Sequence, residues 1–134
     1  MKKLILLTFG ILMTSNIALA CGGIIVKGTS GTNYCLSKQK MNWYSAAGWC
    51  QVQNMKLIDI KEVCGDINNT CSELVLSDTE KNNITASGGT LGWLWTHTSS
   101  TAYVPFLVTT AGKINPSTYA LNGYRQHEAY AFCK

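Results

Sequence analysis

The sequence is short of charge. Asp, Glu, Lys and Arg make up 13% of its 134 residues, and the 9 basic side chains past residue 20 are scattered rather than clustered. Nucleic-acid binding needs concentrated positive charge against the phosphate backbone, so that class has little support. Cys-x-x-Cys is absent, and His97 and His127 have no cysteine at the usual zinc spacing, which removes the common zinc patterns. Past residue 20 no run is apolar for long enough to cross a bilayer, which takes about 20 such residues. There is no nucleophile elbow, no paired-carboxylate motif and no phosphate-binding loop. Internal repeats and low-complexity tracts are missing as well.

What is present begins with a leader. Lys2 and Lys3 precede an apolar run from Leu4 to Met13, broken by Thr8 and Gly10, and Ala18-Leu19-Ala20 is a small-x-small cleavage pattern. The expectation is a secretory signal peptide over 1–20 and one mature domain over 21–134. The apolar run is too short for a membrane anchor. Cys21 follows the cleavage site directly, so lipoprotein processing at that residue is the alternative. It prefers Leu three residues before the cysteine, where this chain has Ala18, and ordinary cleavage is favoured. Removing 20 residues from 134 leaves 114, enough for one modest core. The mature part keeps 9 of the 11 basic residues and all 7 acidic ones, a net charge of +2.

All six cysteines, Cys21, Cys35, Cys50, Cys64, Cys71 and Cys133, lie in the mature part. An even number behind a leader reads as disulfides in an oxidising compartment: secreted, periplasmic or at the cell surface. Sequence alone leaves their pairing open. A catalytic cysteine is disfavoured in that setting.

Cys21 to Leu36 reads as a hairpin: Ile24-Ile25-Val26, a turn-rich loop from Gly28 to Asn33, then Tyr34-Cys35-Leu36. Cys21 and Cys35 then lie near each other across it. Asn42 is placed to cap a helix. In that helix Trp43, Ala46, Ala47 and Cys50 follow the i, i+3, i+4, i+7 spacing of one buried face, and it ends near Asn54. Asp59 with Glu62 resembles a capping pair before a second, shorter helix. Cys64 and Cys71 bracket a polar loop, and Ser72 to Leu76 reads as a short helical turn. Asp78 to Gly89 is polar and reads as loop. Strands are expected at Leu91–Thr96, Ala102–Thr110, Ser117–Leu121 and Glu128–Cys133. Pro105 marks an edge or bulge, Gly112–Asn115 with Pro116 a turn, and Asn122-Gly123 a tight turn. Hairpin, helices and then several strands make an α+β chain with an antiparallel sheet.

These residues resemble a C-type lectin-like domain over nearly all of the mature chain. The resemblance rests on Tyr34-Cys35, on Trp43, Ala46, Ala47 and Cys50, on Leu57 and Ile60, on Trp93 and Trp95, and on Tyr130-Ala131-Phe132-Cys133. It implies a Cys50–Cys133 bond between the first helix and the last strand, and a Cys21–Cys35 bond closing the N-terminal hairpin of longer members. Cys64 and Cys71 are then left to each other, a bond without a direct family counterpart. Closing the large Cys50–Cys133 loop is worth about 4 kcal/mol if chain entropy dominates. The chain departs from the family at the calcium site. Glu-Pro-Asn or Gln-Pro-Asp, and Trp-Asn-Asp before the last strand, are absent; Asn115-Pro116 is the nearest echo and Glu128 the only acid near Cys133. Calcium takes several carboxylate oxygens, so no metal and no cofactor are expected. The short stretch from Trp95 to Cys133 looks like compact bacterial and phage members that act as adhesin tips and receptor-binding displays.

In such members the late strands commonly form the binding face. Trp95, His97, Tyr103, Tyr119, Tyr124, Arg125 and His127 lie on or beside them here, where aromatic rings can stack on sugars or dock a protein. The alternative for each is a place in the core. Trp93 and Trp95 point the same way along a strand, so at least one is expected inside. His97, His127 and Glu128 invite an acid–base reading, but adjacent His127 and Glu128 face opposite sides of a strand. Enzymes that share the fold, such as those that make formylglycine, are far longer and use cysteine chemistry.

The resemblance therefore implies an exported, non-enzymatic module that recognises an extracellular protein or glycan without calcium. It would bind no nucleic acid and keep no membrane span after cleavage. The alternatives are a structural subunit of a surface appendage, minor-pilin-like or tip-like, and a small periplasmic enzyme or inhibitor.

Overall fold

The computed structural model describes residues 21–64, 71–99, 105–109, 114–115 and 125–134. The leader, Tyr103, Tyr119 and Tyr124, the strand expected at Ser117–Leu121 and the Asn122-Gly123 turn lie outside them.

Strands β1 (Ile24–Lys27) and β2 (Asn33–Met41) form the N-terminal hairpin. Helix α1 (Trp43–Val52) follows, capped as expected: Asn42 Oδ1 accepts the Ser45 N–H at 2.8 Å. Asn54 adopts a left-handed conformation (φ 62°), and the N–H groups of Asn54 and Met55 return to the carbonyls of Gln51 and Cys50. Helix α2 (Ile60–Cys64) begins with the expected reciprocal cap. Asp59 Oδ1 accepts the Lys61 N–H at 3.1 Å, and Glu62 Oε1 accepts the Asp59 N–H at 3.3 Å. A 3-10 turn at Ser72–Leu74 comes next.

Helix α3 (Asp78–Ala86) corrects the loop expected there. Its overall polarity hid a start signal: Ser77 Oγ accepts the Glu80 N–H at 3.2 Å. Ile84 alone anchors the helix in the core.

The remaining strands are β3 (Trp93–Ser99), β4 (Pro105–Thr109), β5 (Ile114–Asn115) and β6 (Ala129–Cys133). Ile114 and Asn115 pair with Val108 and Leu107, so the turn expected over Gly112–Asn115 gives way to a strand at its end. The sheet order is β1-β2-β6-β3-β4-β5. It is mixed rather than antiparallel, because β6 pairs antiparallel with β2 and parallel with β3. The last strand slots between two strands that run in opposite directions. Strand patterns show that a segment is extended; they do not show which edge it will find.

β6 explains how the core is divided. All five of its residues are buried. Ala129, Ala131 and Cys133 face one cluster with Ala46, Cys50, Leu57 and Trp95. Tyr130 and Phe132 face another, which holds Tyr34, Leu36, Ile58, Leu74 and Ile84. The small side chains on the first face let α1 approach closely. The second face takes the bulk, and Tyr34 stacks on Phe132 with ring centroids 4.9 Å apart.

Three disulfides lock this arrangement: Cys21–Cys35, Cys50–Cys133 and Cys64–Cys71. They fit an oxidising extracellular or periplasmic environment. With its sulfur in the first bond, Cys21 has no thiol left for a lipid thioether. No helix among the described residues is long and apolar enough to cross a membrane.

Acidic side chains fasten the hairpin to the helical layer. Glu73 accepts the Ser30 N–H at 2.8 Å and the Ser30 hydroxyl at 2.6 Å, while Glu80 accepts the Lys27 N–H at 2.9 Å. Burial, the charges of Glu73 and Glu62, and a hydrogen bond with Glu73 together push the Tyr34 phenol up to about 12.

Candidate functional site

The first turn of α1 carries two adjacent aromatic residues. Neighbours on a helix lie roughly 100° apart, so they cannot both face the sheet. Trp43 turns inward, and its Nε1–H donates to the Thr96 carbonyl at 3.0 Å, which pins the ring against β3. Tyr44 turns outward and is 56% exposed. The two rings meet edge to face at 5.4 Å. Arg125, which precedes β6, lays its guanidinium 4.6 Å from the Trp43 ring and 5.8 Å from Tyr44. Such contacts are worth about 0.5–2 kcal/mol. The result is an exposed aromatic face backed by a fixed positive charge. It can stack on a sugar ring or dock against a protein.

Of the seven residues expected at the binding face, four are described. Arg125 belongs to this platform. His97 and His127 are exposed. Trp95 is fully buried, and its Nε1–H donates to the Met41 carbonyl at 2.8 Å. It is a core residue, and as a ligand contact it is corrected. Both faces of β3 are covered at this point, since neighbouring Leu94 is equally buried in the opposite cluster. Trp93, two residues back, is 39% exposed at the start of the strand.

Sequence reasoning assigned Trp43 to the scaffold and passed over Tyr44. The doublet Trp43-Tyr44 directly after a cap residue was the available signal, because one ring had to point outward.

A second polar centre lies where the segment after α1 crosses the sheet. Leu57 bridges Cys133, the Lys56 and Lys134 main chains exchange hydrogen bonds at 3.1 and 2.9 Å, and the Ile58 carbonyl accepts the His97 N–H at 2.8 Å. Next to His97, the Thr98 hydroxyl donates to Asp59 Oδ1 at 2.8 Å and accepts the Ile60 N–H at the same distance. Burial alone would raise the Asp59 pKa. The hydrogen bonds from Thr98 and the Lys61 N–H, with the charges of Lys61 and His97, outweigh it and hold the carboxyl below its ordinary value. Between α1 and this crossing lies a cleft of about 570 Å³ whose lining includes Gln51, Met55, Lys56, Leu57 and His97. Among the described residues no group of three or more His, Cys, Asp or Glu is placed to hold a metal ion.

No protein-family model matches the chain, and no curated protein or solved structure matches it.

Proposed function

We propose that this chain is an exported, non-enzymatic ligand-binding module with a C-type lectin-like fold, recognising an extracellular protein or glycan without calcium. The fold reading draws support from the N-terminal hairpin, whose second strand pairs antiparallel with the last strand. The Cys50–Cys133 bond between the first helix and that strand supports it too. One observation carries the functional reading: Tyr44 is presented outward while Arg125 and Trp43 hold a cation–aromatic stack beside it. A purely structural helix start would be better served by a polar residue at so exposed a position. The binding face thus takes in the start of α1 as well as the late strands, with His127 exposed after Arg125.

Glycan arrays and pull-downs with surface extracts, run with and without chelator, test this reading. Binding should persist in chelator and fall sharply in the Tyr44→Ala and Arg125→Gln variants. Strict calcium dependence, or binding untouched by both variants, would overturn it. Turnover of a substrate that is lost on His97→Ala or His127→Ala with folding intact would replace it with an enzymatic one.

A further inference from the structure

We propose that the cleft between the C-terminal half of α1 and β3 binds the carboxylate-bearing unit of an acidic sugar. Its volume of about 570 Å³ lies within the range of small-ligand sites and accommodates a single hexose-sized ring. It begins one turn past the aromatic platform, at Ala47, and reaches Gln51, about 12 Å from Trp43 along the helix.

Three features of the lining select the ligand. The floor is apolar and small, made by Ala47, Met55 and buried Leu57. The rim carries the side-chain amides of Gln51 and Asn54, which both donate and accept, as a hydroxylated ring requires. Donors complete it: the ammonium groups of Lys56 and Lys134, the latter shared with Glu62, and the imidazole of His97.

The local side-chain charges favour an anion. Two acidic side chains stand nearby, and both are engaged. Asp59 accepts from Thr98 and Lys61. Glu62 takes Lys134 in an ion pair at 3.2 Å. Lys56 has no ion pair among the described residues, and His97, although it feels the charge of Asp59, makes no side-chain hydrogen bond there. The carbonyl end of α1 would repel an anion. Here the Trp49 carbonyl accepts Gln53 Nε2, and those of Cys50 and Gln51 accept the N–H groups that follow the helix, which blunts that field.

A peptide fits the lining less well. An extended chain needs free main-chain partners to pair with. The Lys56 N–H and carbonyl are both taken by Lys134, and the Ile58 N–H by Phe132.

Amide chemical-shift titration of the isotopically labelled mature domain tests the assignment, with methyl glucuronide as the acidic probe and methyl glucoside as its neutral match. The glucuronide should move the amides of Lys56, Leu57 and His97 with a dissociation constant on the order of millimolar. The glucoside should bind about tenfold more weakly, as should the glucuronide to Lys56→Gln, the loss of one charge-assisted contact; His97→Gln, which replaces the imidazole donor, should weaken it as well. Both side chains are exposed, so unchanged spectra elsewhere establish that the variants fold. Equal shifts from the two sugars, or no shifts at the cleft, would overturn the proposal. So would tighter binding of hexa-aspartate than of glucuronide at these amides, which would assign the cleft to an acidic protein partner. Loss of glucuronide binding in Tyr44→Ala but not in Lys56→Gln would move the sugar to the platform and overturn it as well.

Discussion

Replacing Ser37 with Ala should destabilise this domain far more than an ordinary Ser→Ala change. Ser37 is 1% exposed and lies where the β2–β6 register shifts, between Leu36 and Lys40. The regular ladder is broken there, and the side chain replaces it. Ser37 Oγ accepts the Ala131 N–H at 2.9 Å and donates to the Gln39 carbonyl at 2.8 Å. Each bond is worth about 1 kcal/mol net, and leaving the buried Ala131 N–H without a partner costs about 1–3 kcal/mol. These terms overlap, so the expected loss is roughly 2–3 kcal/mol. For a domain of this size about 4 °C of Tm accompanies each kcal/mol, which puts the drop near 8–12 °C. Thermal and urea unfolding of the oxidised protein, followed by tryptophan fluorescence, measures it. Amide exchange at Ala131 should accelerate in parallel. A loss under about 0.5 kcal/mol with Ala131 exchange unchanged would refute the reasoning, since the bulge would then have satisfied itself without the hydroxyl.

The disulfides should rank by loop length. Removing Cys50–Cys133, whose ends are 83 residues apart, should cost about 4.5 kcal/mol, against about 2.4 kcal/mol for Cys64–Cys71, which are 7 apart; denaturant midpoints of the paired Cys→Ala variants give the order. Trp95→Ala should lose about 3–5 kcal/mol, the cost of emptying a buried aromatic site, whereas Trp93→Ala should lose much less; the same unfolding curves compare them. The Tyr34 phenol, raised from 10.0 to about 12, stays neutral in the folded state at a pH where the unfolded chain would ionise. Its contribution is therefore complete below pH 10 and is lost as pH climbs toward 12. Tyrosinate absorbance should show a late-titrating component that shrinks by one group in Tyr34→Phe and moves earlier in Glu73→Gln. Asp59 has the opposite sign: its folded pKa is depressed from 3.8, so its contribution is present above that value and lost as pH falls below it. Thr98→Val should raise the Asp59 pKa in a carboxylate titration by NMR.

Much of the fold was legible from local signals, and the misses have physical causes. Asn42 and the Asp59–Glu62 pair marked helix starts because a cap is a contact between near neighbours in sequence. α3 was overlooked because only Ile84 of its nine residues faces the core, leaving no apolar period to detect; the Ser77-x-x-Glu80 cap was the remaining clue. The sheet was expected to be antiparallel because the order of elements, a hairpin, then helices, then several strands, fits such a sheet. β6, last in the chain, instead pairs with β2 and β3, neither of them its neighbour in sequence. At the binding face, aromatic residues on late strands were a sound place to look, yet composition does not report depth. Trp95 went inside because β3 is covered on both faces, while Tyr44 emerged because Trp43 took the inward position.

By itself the sequence determined an α+β chain with an apolar core, a hairpin at its start, capped helices in its first half and strands in its second. Each follows from periodicity, capping or turn chemistry, which act over a few residues. Tertiary structure alone decided which strand lies at the centre of the sheet and which tryptophan is buried. It also decided that Arg125 closes over a helix some eighty positions earlier in the chain and that Lys56, His97 and Lys134 share one cleft. Those are meetings between residues distant in sequence. They are set by how the two faces of β6 fill, a property that no single segment carries.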